Sequence, residues 1–231
     1  MGTRLGDDTK DKPKALVKFN GKPMLQGLLE NLKTQGFDKV CINIHHFGDM
    51  ILQFLEKHHN FGLDICISDE RNKLLDTGGA VKKAAVFFQG NEPVLVHNVD
   101  VFTNLDFYDF FVKHDKSGAL VSLLVRDRMS SRKLLFDNSL KLQGWKNIKT
   151  GEYKWTNGPL KDYRERAFSG IYVASPQFPD KIDKHGNFPV VPVWLDLARD
   201  NLIKGVEHND SLWFDLGTQE KIKAAENILG K

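Results

Sequence analysis

Residues 23–44, PMLQGLLENLKTQGFDKVCINI, contain two hydrophobic patterns that together decide the fold class. In the first part, apolar residues recur at spacings of three and four, which predicts a helix over Pro23–Leu32 that is ended by Gly36. In the second part, apolar residues alternate with others, which predicts a strand over Lys39–Ile44. A helix that leads directly into a strand is the repeating unit of α/β proteins.

The same alternation continues through the first half of the chain. The apolar spacing predicts further helices over Gly48–His58, Gly78–Phe88 and Leu105–Lys116. It predicts further strands over Leu63–Ser68, Pro93–Asn98 and Ala119–Val125. We therefore expect an α/β fold with a mostly parallel sheet and helices on both faces. Ligands of such sheets lie beyond the carboxyl ends of the strands, so functional residues should follow strands.

The second half of the chain is less regular. The turn residues Asp137–Ser139 predict a hairpin formed by Leu134–Phe136 and Leu140–Leu142. Lys146–Arg164 is polar and is typical of an excursion on the surface. The remaining predicted elements are a strand over Arg166–Ala174, a helix over Val193–Leu202, a strand over Trp213–Leu216 and a helix over Thr218–Leu229.

Composition excludes several classes of protein. Of the 231 residues, 33 are basic and 30 are acidic, and the two signs are interspersed, so we expect no nucleic-acid partner. No apolar run approaches the ~20 residues that span a bilayer, and no signal peptide opens the chain, so we expect no membrane partner. Cys41 and Cys66 lie in apolar segments; buried thiols in a reducing cytoplasm are our interpretation, and one disulfide is the alternative.

Four segments carry residues that suit phosphate or metal binding. They are Gly2-Thr3-Arg4 with Lys12-Pro13-Lys14, Asp76-Thr77-Gly78-Gly79, Asn98-Val99-Asp100, and Trp213-Phe214-Asp215 with Leu216-Gly217-Thr218. Glycine lets backbone N–H groups approach an anion, and Arg and Lys add fixed positive charge. Carboxylates that follow strands can hold Mg²⁺ together with phosphate oxygens. The structural alternatives are a frayed basic terminus, a plain helix cap and loop aspartates bonded to their own backbone.

Taken together, these segments resemble the sugar-1-phosphate nucleotidyltransferase family, also called nucleotidyl-diphosphosugar pyrophosphorylases, over nearly the whole chain. That family opens with A-A-G-x-G-T-R, P-K-x-L and G-K-P-x-L, and later shows F-S/A-G-I and W-x-D-x-G-T. The matching segments here are Gly2–Arg4, Pro13–Leu16, Gly21–Leu25, Phe168–Ile171 and Trp213–Thr218. Asn43–His46 and Leu75–Gly79 look most like bacterial N-acetylmuramate-1-phosphate uridylyltransferases, with mannose- and heptose-1-phosphate guanylyltransferases close to them.

The resemblance implies a cytoplasmic enzyme of nucleotide-sugar, cell-wall or polysaccharide precursor synthesis, with a Rossmann-like nucleotide-diphospho-sugar transferase fold. It would transfer a nucleotidyl group from UTP or GTP to a sugar-1-phosphate and release pyrophosphate. One domain would cover residues 1–231, with a nucleotide-binding half over about 1–125 and a sugar-binding half over about 126–231. Whether it is a monomer or a homo-oligomer stays open.

The resemblance also implies roles for individual residues. Arg4 would hold pyrophosphate, Lys14 would bridge the phosphates at the attacked centre, and Asp100 would act with them as a catalytic residue. Asp100 and Asp215 would hold Mg²⁺. Nucleotide contacts would come from Gly2, Thr3, Thr77 and Gly78. Sugar contacts would come from Asn98, Ser169 and Gly170, and from Arg166, chosen over Lys161 and Arg164 as the cation for the sugar phosphate.

The sequence departs from the family at three places. Val99 stands where the family has a small residue, and Asp76 is a shortened acid. The family's first strand and its A-A-G are absent before Met1, so we expect a strand encoded upstream and a poorly active 231-residue chain.

Two rival functions are an inactive nucleotide-sugar-binding or regulatory module and a related glycosyltransferase. A glycosyltransferase would normally show an Asp-x-Asp motif after a strand, and Asp100-Val101-Phe102 is not one. His45 and His46 follow a predicted strand. Either one of them contacts a ligand, or both lie in a solvated loop.

Overall fold

The computed structural model describes residues 10–230, which divide into two units with their own internal contacts. The first unit comprises the described residues up to Leu74, the segment Asn98–Leu105 and the described residues from Leu212 onward. The second comprises Leu75–His97 and Asp106–Ser211. The expected strand upstream of Met1 lies outside the described residues.

Apart from α5, the α-helices of the described chain fall close to the predicted positions. They are Met24–Thr34 (α1), Gly48–Lys57 (α2), Asp76–Ala84 (α3), Phe107–Ser117 (α4), Val190–Leu197 (α5) and Gln219–Leu229 (α6). No helix within residues 10–230 has both the length and the apolar character needed to cross a membrane.

The strands include five that the sequence patterns did not predict. They are Lys18–Phe19 (β1), Lys22–Pro23 (β2), Lys39–Ile44 (β3), Asp64–Asp69 (β4), Val94–His97 (β5), Val101–Thr103 (β6), Val121–Arg126 (β7), Arg132–Phe136 (β8), Leu142–Asn147 (β9), Tyr153–Trp155 (β10), Arg164–Ala174 (β11), Ile203–Glu207 (β12) and Trp213–Asp215 (β13). The unpredicted strands are β10, which lies inside the polar excursion, β12, and the two- and three-residue strands β1, β2 and β6.

In the first unit, α1 and α2 cover one face of the parallel pair β3–β4. The two strands pair in register from Lys39 opposite Asp64 to Ile44 opposite Asp69. The apolar stripes of the helices and the inward residues of β3 form one buried cluster, which includes Leu25, Leu29, Ile44, Ile51 and Leu55. The spacing that predicted α1 is thus the spacing of its buried face.

The first unit also contains the antiparallel pair β6–β13, which joins two distant parts of the chain. Trp213 pairs with Thr103, and Asp215 pairs with Val101. Helix α6 follows at once, and the Thr218 side chain caps it by accepting a hydrogen bond from the Lys221 backbone N–H. The pairing therefore fixes the position of the segment that ends at Asp215.

The second unit is built on a seven-stranded mixed sheet with the order β10-β9-β8-β11-β7-β12, in which β5 also pairs with β11. The long strand β11 lies near its centre, and most residues of β7 are fully buried, as the apolar run Ala119–Val125 predicted. The α/β class is therefore confirmed. Parallel pairing in the described chain occurs at β3–β4 and β7–β12. The other ladders are antiparallel. Three of them join consecutive strands through hairpins, and the others join strands that are distant in sequence.

Several elements of the second unit differ from the prediction. Helix α5 spans Val190–Leu197 rather than Val193–Leu202, and strand β9 spans Leu142–Asn147 rather than Leu140–Leu142. Helix α5 begins at Val190, three residues earlier than predicted, because Pro192 falls in its first turn, where a missing N–H costs little. Strand β12 was missed because it is short and contains Gly205. A Cβ at Gly205 would lie 3.1 Å from the Phe136 ring, so packing against β8 favours glycine there.

Candidate functional site

Asp100 and Asp215 are brought to neighbouring positions by the β6–β13 pairing. Asp100 lies in the turn before β6, and Asp215 is the last residue of β13, opposite Val101. The Leu216 backbone N–H donates to the Asp100 carbonyl oxygen at 2.8 Å, which ties the two segments together beyond the strands. The fold therefore joins two carboxylates that are far apart in sequence.

Lys14 lies beside these carboxylates. It begins the short 3₁₀ turn Lys14–Leu16, and its Nζ forms an ion pair with Asp100 Oδ2. A Cβ placed on Gly217 would lie 2.7 Å from Asp215 Oδ1 and 3.7 Å from Lys14 Nζ, so Lys14 also reaches the Asp215 side of the turn. The Lys14 and Asp100 side chains are 23% and 26% exposed, which leaves both accessible to a ligand.

The Asp215 carboxylate is held in its ionised form. Burial by itself raises the pKa of Asp215, but hydrogen bonds from the Lys221 side chain and the Gly217 N–H, with the charges of Lys221 and Lys14, bring that pKa below its usual value. The Gly217 N–H donates to Oδ1 at 2.8 Å, and Lys221 forms an ion pair with Oδ2. A charged carboxylate is what metal binding requires.

The ends of β3 and β4 carry a second polar group in the first unit. His45 Nδ1 lies 2.8 Å from the Glu70 carbonyl oxygen, so His45 is fixed to the neighbouring segment. The Arg71 guanidinium forms ion pairs with Asp69 and Asp49. His45 and Arg71 follow strands, as expected of functional positions, and the contacts described for them are with protein groups.

In the second unit, Gly78 and Gly79 pack tightly against the segment before α5. The Gly78 N–H donates to the Phe188 carbonyl oxygen at 2.9 Å, and the Thr77 hydroxyl accepts from the Val190 N–H at 3.0 Å. A Cβ on Gly79 would lie 2.3 Å from the Gly186 carbonyl oxygen. Close backbone packing therefore accounts for these glycines, and the Gly78 N–H already has a protein acceptor.

Ser169 and Gly170 lie in an irregular part of β11 and are buried. The Ser169 side chain has no exposed surface, and its Oγ lies 2.6 Å from His208 Nε2. Gly170 has a φ of 81°, a conformation that glycine adopts without strain. The predicted sugar contact at Ser169 is therefore turned toward His208, a residue that the sequence did not single out because the contact spans 39 residues.

Arg166 forms an ion pair with Glu207 at the end of β12, so its charge is balanced by a carboxylate. Two other arginines of the second unit were missed by the sequence analysis. Arg126 donates to the Asn209 and Ser211 carbonyl oxygens at 2.7 and 2.9 Å, and Arg128 donates to the Phe168 carbonyl oxygen at 3.0 Å. Both follow the apolar run of β7, a position that could have drawn attention to them.

The remaining predicted site residues are placed as follows. Gly2, Thr3 and Arg4 lie outside the described residues. Asn98 is exposed in the turn before Asp100. Val99 is half-buried and packs against both apolar clusters of the first unit, which explains how a larger side chain is accommodated at this position.

The donor set around Asp100 fits Mg²⁺. This ion takes one or two protein carboxylates and completes its shell with water and phosphate oxygens. Within residues 10–230, no group of three or more His, Cys, Asp or Glu side chains is arranged around a common metal position. A pair of adjacent aspartates is a donor set of the kind that Mg²⁺ uses beside a phosphate.

Comparison with known proteins gives relatives of one kind. Residues 1–133 match the family model described as Nucleotidyl transferase. N-acetylmuramate alpha-1-phosphate uridylyltransferase of Caulobacter vibrioides is 31% identical, and the match covers 100% of this chain and 94% of the relative. The protein of the same name from Neisseria meningitidis serogroup B is 29% identical, with 99% and 94% covered.

Solved structures agree on the fold. HddC from Yersinia pseudotuberculosis superposes with a TM-score of 0.78 at 22% identity, covering 99% of this chain and 95% of that one. An apo UDP-glucose pyrophosphorylase superposes with a TM-score of 0.75 at 15% identity, covering 99% and 94%. At these identities the likeness establishes the fold alone, and it confirms the architecture expected from the sequence.

Proposed function

We propose a function for this chain on the premise that it belongs to the nucleotidyl transferase family. The chain is a nucleotidyltransferase that joins a nucleotidyl group from a nucleoside triphosphate to a sugar-1-phosphate and releases pyrophosphate. Our finer proposal is that the nucleotide is UTP and the sugar is N-acetylmuramate-1-phosphate. The two relatives at 31% and 29% identity bear that name, and the match covers 94% of each. The mannose-1-phosphate guanyltransferases of Xenopus laevis and Kluyveromyces lactis are 24% to 28% identical, and the match covers 58% of each.

The observation that carries the proposal is the position of Lys14 beside Asp100 and on the Asp215 side of the turn. In the transfer, an oxygen of the sugar phosphate attacks the α-phosphorus, the bond to the β-phosphate oxygen breaks, and pyrophosphate leaves. Such a reaction needs positioning and charge stabilisation more than covalent catalysis. An ammonium group at this place would stabilise the negative charge that develops on the phosphates.

Asp100 and Asp215 would hold Mg²⁺. When bound, the ion neutralises negative charge on the phosphates. Lys14 and Lys221 form ion pairs with the two carboxylates, and their ammonium groups would supply positive charge to phosphate oxygens bound beside them. Arg4 would hold the leaving pyrophosphate, as the family motif implies.

The other substrate contacts are proposed with unequal support. In the first unit, the exposed Asn98 can reach a ligand directly, which favours its role on the sugar side. In the second unit, the backbone at Thr77 and Gly78 would contact the base once the bond to Phe188 is exchanged. The Ser169 hydroxyl is turned toward His208, so the sugar contact at this segment would come from the backbone of Gly170. Arg166 forms an ion pair with Glu207, so it would position the sugar-binding segment rather than bind the sugar phosphate as a free cation.

A substrate panel tests the finer proposal. The protein is incubated with Mg²⁺ and with either UTP or GTP, together with N-acetylmuramate-1-phosphate or mannose-1-phosphate, and the products are identified by mass spectrometry. We expect UDP-N-acetylmuramate to form fastest. GDP-mannose as the main product would contradict the assignment of base and sugar, and binding of nucleotide-sugar without any turnover would favour the regulatory module.

Free Cys41 and Cys66 thiols accord with our proposal that the enzyme works in the cytoplasm.

A further inference from the structure

His208 follows the carboxyl end of β12 and contacts the β11 segment that the proposed function assigns to the sugar side. We infer that His208 is a positioning residue: its imidazole fixes the Ser169 hydroxyl and thereby the backbone at Gly170. The inference rests on the proposed function. It assigns to His208 an effect on sugar-1-phosphate use rather than on UTP use.

The hydrogen bonds around His208 select one tautomer. The Ser211 hydroxyl donates to the His208 carbonyl oxygen at 3.1 Å, and the same Oγ lies 2.9 Å from His208 Nδ1. Because the Ser211 hydroxyl donates its own proton to that carbonyl oxygen, its Oγ accepts from the imidazole. Nδ1 therefore carries the imidazole proton and donates it to Ser211 Oγ. Nε2 is then an acceptor, and the 2.6 Å contact with Ser169 Oγ requires the Ser169 hydroxyl to donate. The imidazole therefore fixes the direction of that hydroxyl.

The surroundings keep His208 neutral, as this arrangement requires. The residue is 6% exposed. Burial, with the added charges of Arg126 and Arg128, lowers the pKa of His208 to about 4. At neutral pH the imidazole is uncharged, so Nε2 is available as an acceptor.

The contact braces a place where β11 loses its regular ladder. Phe168 pairs with Val125 of β7, and the next pair is Tyr172 with Leu123, so β11 contains two extra residues between these pairs. Such bulges redirect the chain beside functional sites and leave backbone groups without ladder partners. The contact between Ser169 and His208 ties this irregular part of β11 to the residue that follows β12.

The second unit supplies a matched histidine for comparison. His114 of α4 is also buried between two serine hydroxyls, with Nδ1 2.8 Å from Ser122 Oγ and Nε2 3.1 Å from Ser175 Oγ. Ser122 lies near the amino end of β7, and His208 follows the carboxyl end of the parallel strand β12. His114 therefore makes the same kind of contacts near the amino ends of these strands, whereas ligands of α/β sheets bind beyond the carboxyl ends.

The experiment compares His208→Leu, His208→Gln and His114→Leu with the parent protein. Initial rates are measured with N-acetylmuramate-1-phosphate varied at saturating UTP, and then with UTP varied. For His208→Leu we expect kcat/KM for the sugar phosphate to fall about tenfold or more, the effect of a slight misplacement of a binding segment, with KM for UTP nearly unchanged. His208→Gln places an amide oxygen near the Nε2 position and should recover most of the loss. His114→Leu should lower the melting temperature and leave the kinetics as in the parent.

Three results would overturn the inference. They are parent-like sugar kinetics in His208→Leu, equal kinetic losses in His208→Leu and His114→Leu, and imidazole ¹⁵N shifts that place the His208 proton on Nε2. If His208→Leu does not fold, Ser169→Ala, which removes only the donor, takes its place in the comparison with His114→Leu. An inactive parent protein would instead refute the proposed function itself, so the two failures are distinguishable.

Discussion

Lys14 and His208 each make a side-chain contact with a residue that the fold brings near. Lys14 begins the 3₁₀ turn after Pro13, and its ammonium group forms an ion pair with Asp100. The imidazole of His208 contacts the Ser169 hydroxyl, which lies 39 positions earlier in the chain. The predictions at this scale therefore replace one side chain at a time.

The first residue-scale prediction concerns Lys14→Ala. We expect turnover to fall by roughly 10²–10³-fold, because an ammonium group that stabilises developing phosphate charge is lost. The melting temperature should change little, because the 3₁₀ turn buries only Ala15. Lys113→Ala is the control, since Lys113 is an exposed lysine outside the family motifs that also pairs with a carboxylate, Asp109. Equal activity in the two variants would remove Lys14 from the catalytic group.

The second residue-scale prediction concerns pH and His208. Since the pKa of His208 is about 4 in the folded protein and ~6.5 in an unfolded chain, the unfolded state binds the proton more readily. The stability linked to the neutral imidazole is therefore complete above about pH 6.5 and is lost as the pH falls toward 4. We expect His208→Gln to show a shallower loss of unfolding free energy between these pH values. Urea unfolding at several pH values measures this, and parallel curves for variant and parent would contradict it.

At the scale of elements, helices were predicted closely and sheet pairing was not. Helix α1 and strand β3 follow from local periodicity, and the bounds of β3 agree with the prediction. The direction of pairing depends on which strands meet, and β11 brings together β5, β7 and β8 from separate parts of the chain. Strand β10 was missed because its pairing with β9 arises from a hairpin in a polar segment with little apolar alternation.

The element-scale prediction compares two helical glycines. Gly79→Ala should destabilise the protein by about 1–3 kcal/mol, because its Cβ would lie 2.3 Å from the Gly186 carbonyl oxygen and backbone would have to move. Gly27→Ala in α1 meets nothing within 4 Å and should stabilise by up to about 1 kcal/mol through helix propensity. Urea unfolding of both variants gives the comparison. A tolerated Gly79→Ala would show that the α3–Gly186 packing is looser than the structure indicates.

At the scale of the whole molecule, function depends on segments that are distant in sequence. Asp100 and Asp215 are 115 positions apart, and the β6–β13 ladder makes them neighbours. Their proposed role as Mg²⁺ ligands rests on the family resemblance, because no local pattern relates one carboxylate to the other. The physical basis of that role is the adjacency that the ladder supplies.

The whole-molecule prediction is that turnover requires Mg²⁺ and that Asp215→Asn raises the Mg²⁺ concentration needed. A neutral amide is a weaker ligand than a carboxylate whose pKa is already lowered by Lys221 and the Gly217 N–H. Asp109→Asn, which alters an exposed carboxylate paired with Lys113, is the control. Turnover rates of the parent and both variants are measured at increasing Mg²⁺ concentrations, and a chelator sets the metal-free rate. An unchanged Mg²⁺ dependence in Asp215→Asn would exclude Asp215 as a ligand.

The most direct test of the account is sugar-dependent pyrophosphate release. The protein and its Lys14→Ala variant are incubated with Mg²⁺ and UTP, with and without N-acetylmuramate-1-phosphate, and pyrophosphate is followed over time. We predict release by the parent only when the sugar phosphate is present, one nucleotide-sugar formed for each pyrophosphate, and a large loss of rate in the variant. Release that does not depend on the sugar phosphate, or no release above the level of Lys14→Ala, would contradict the account.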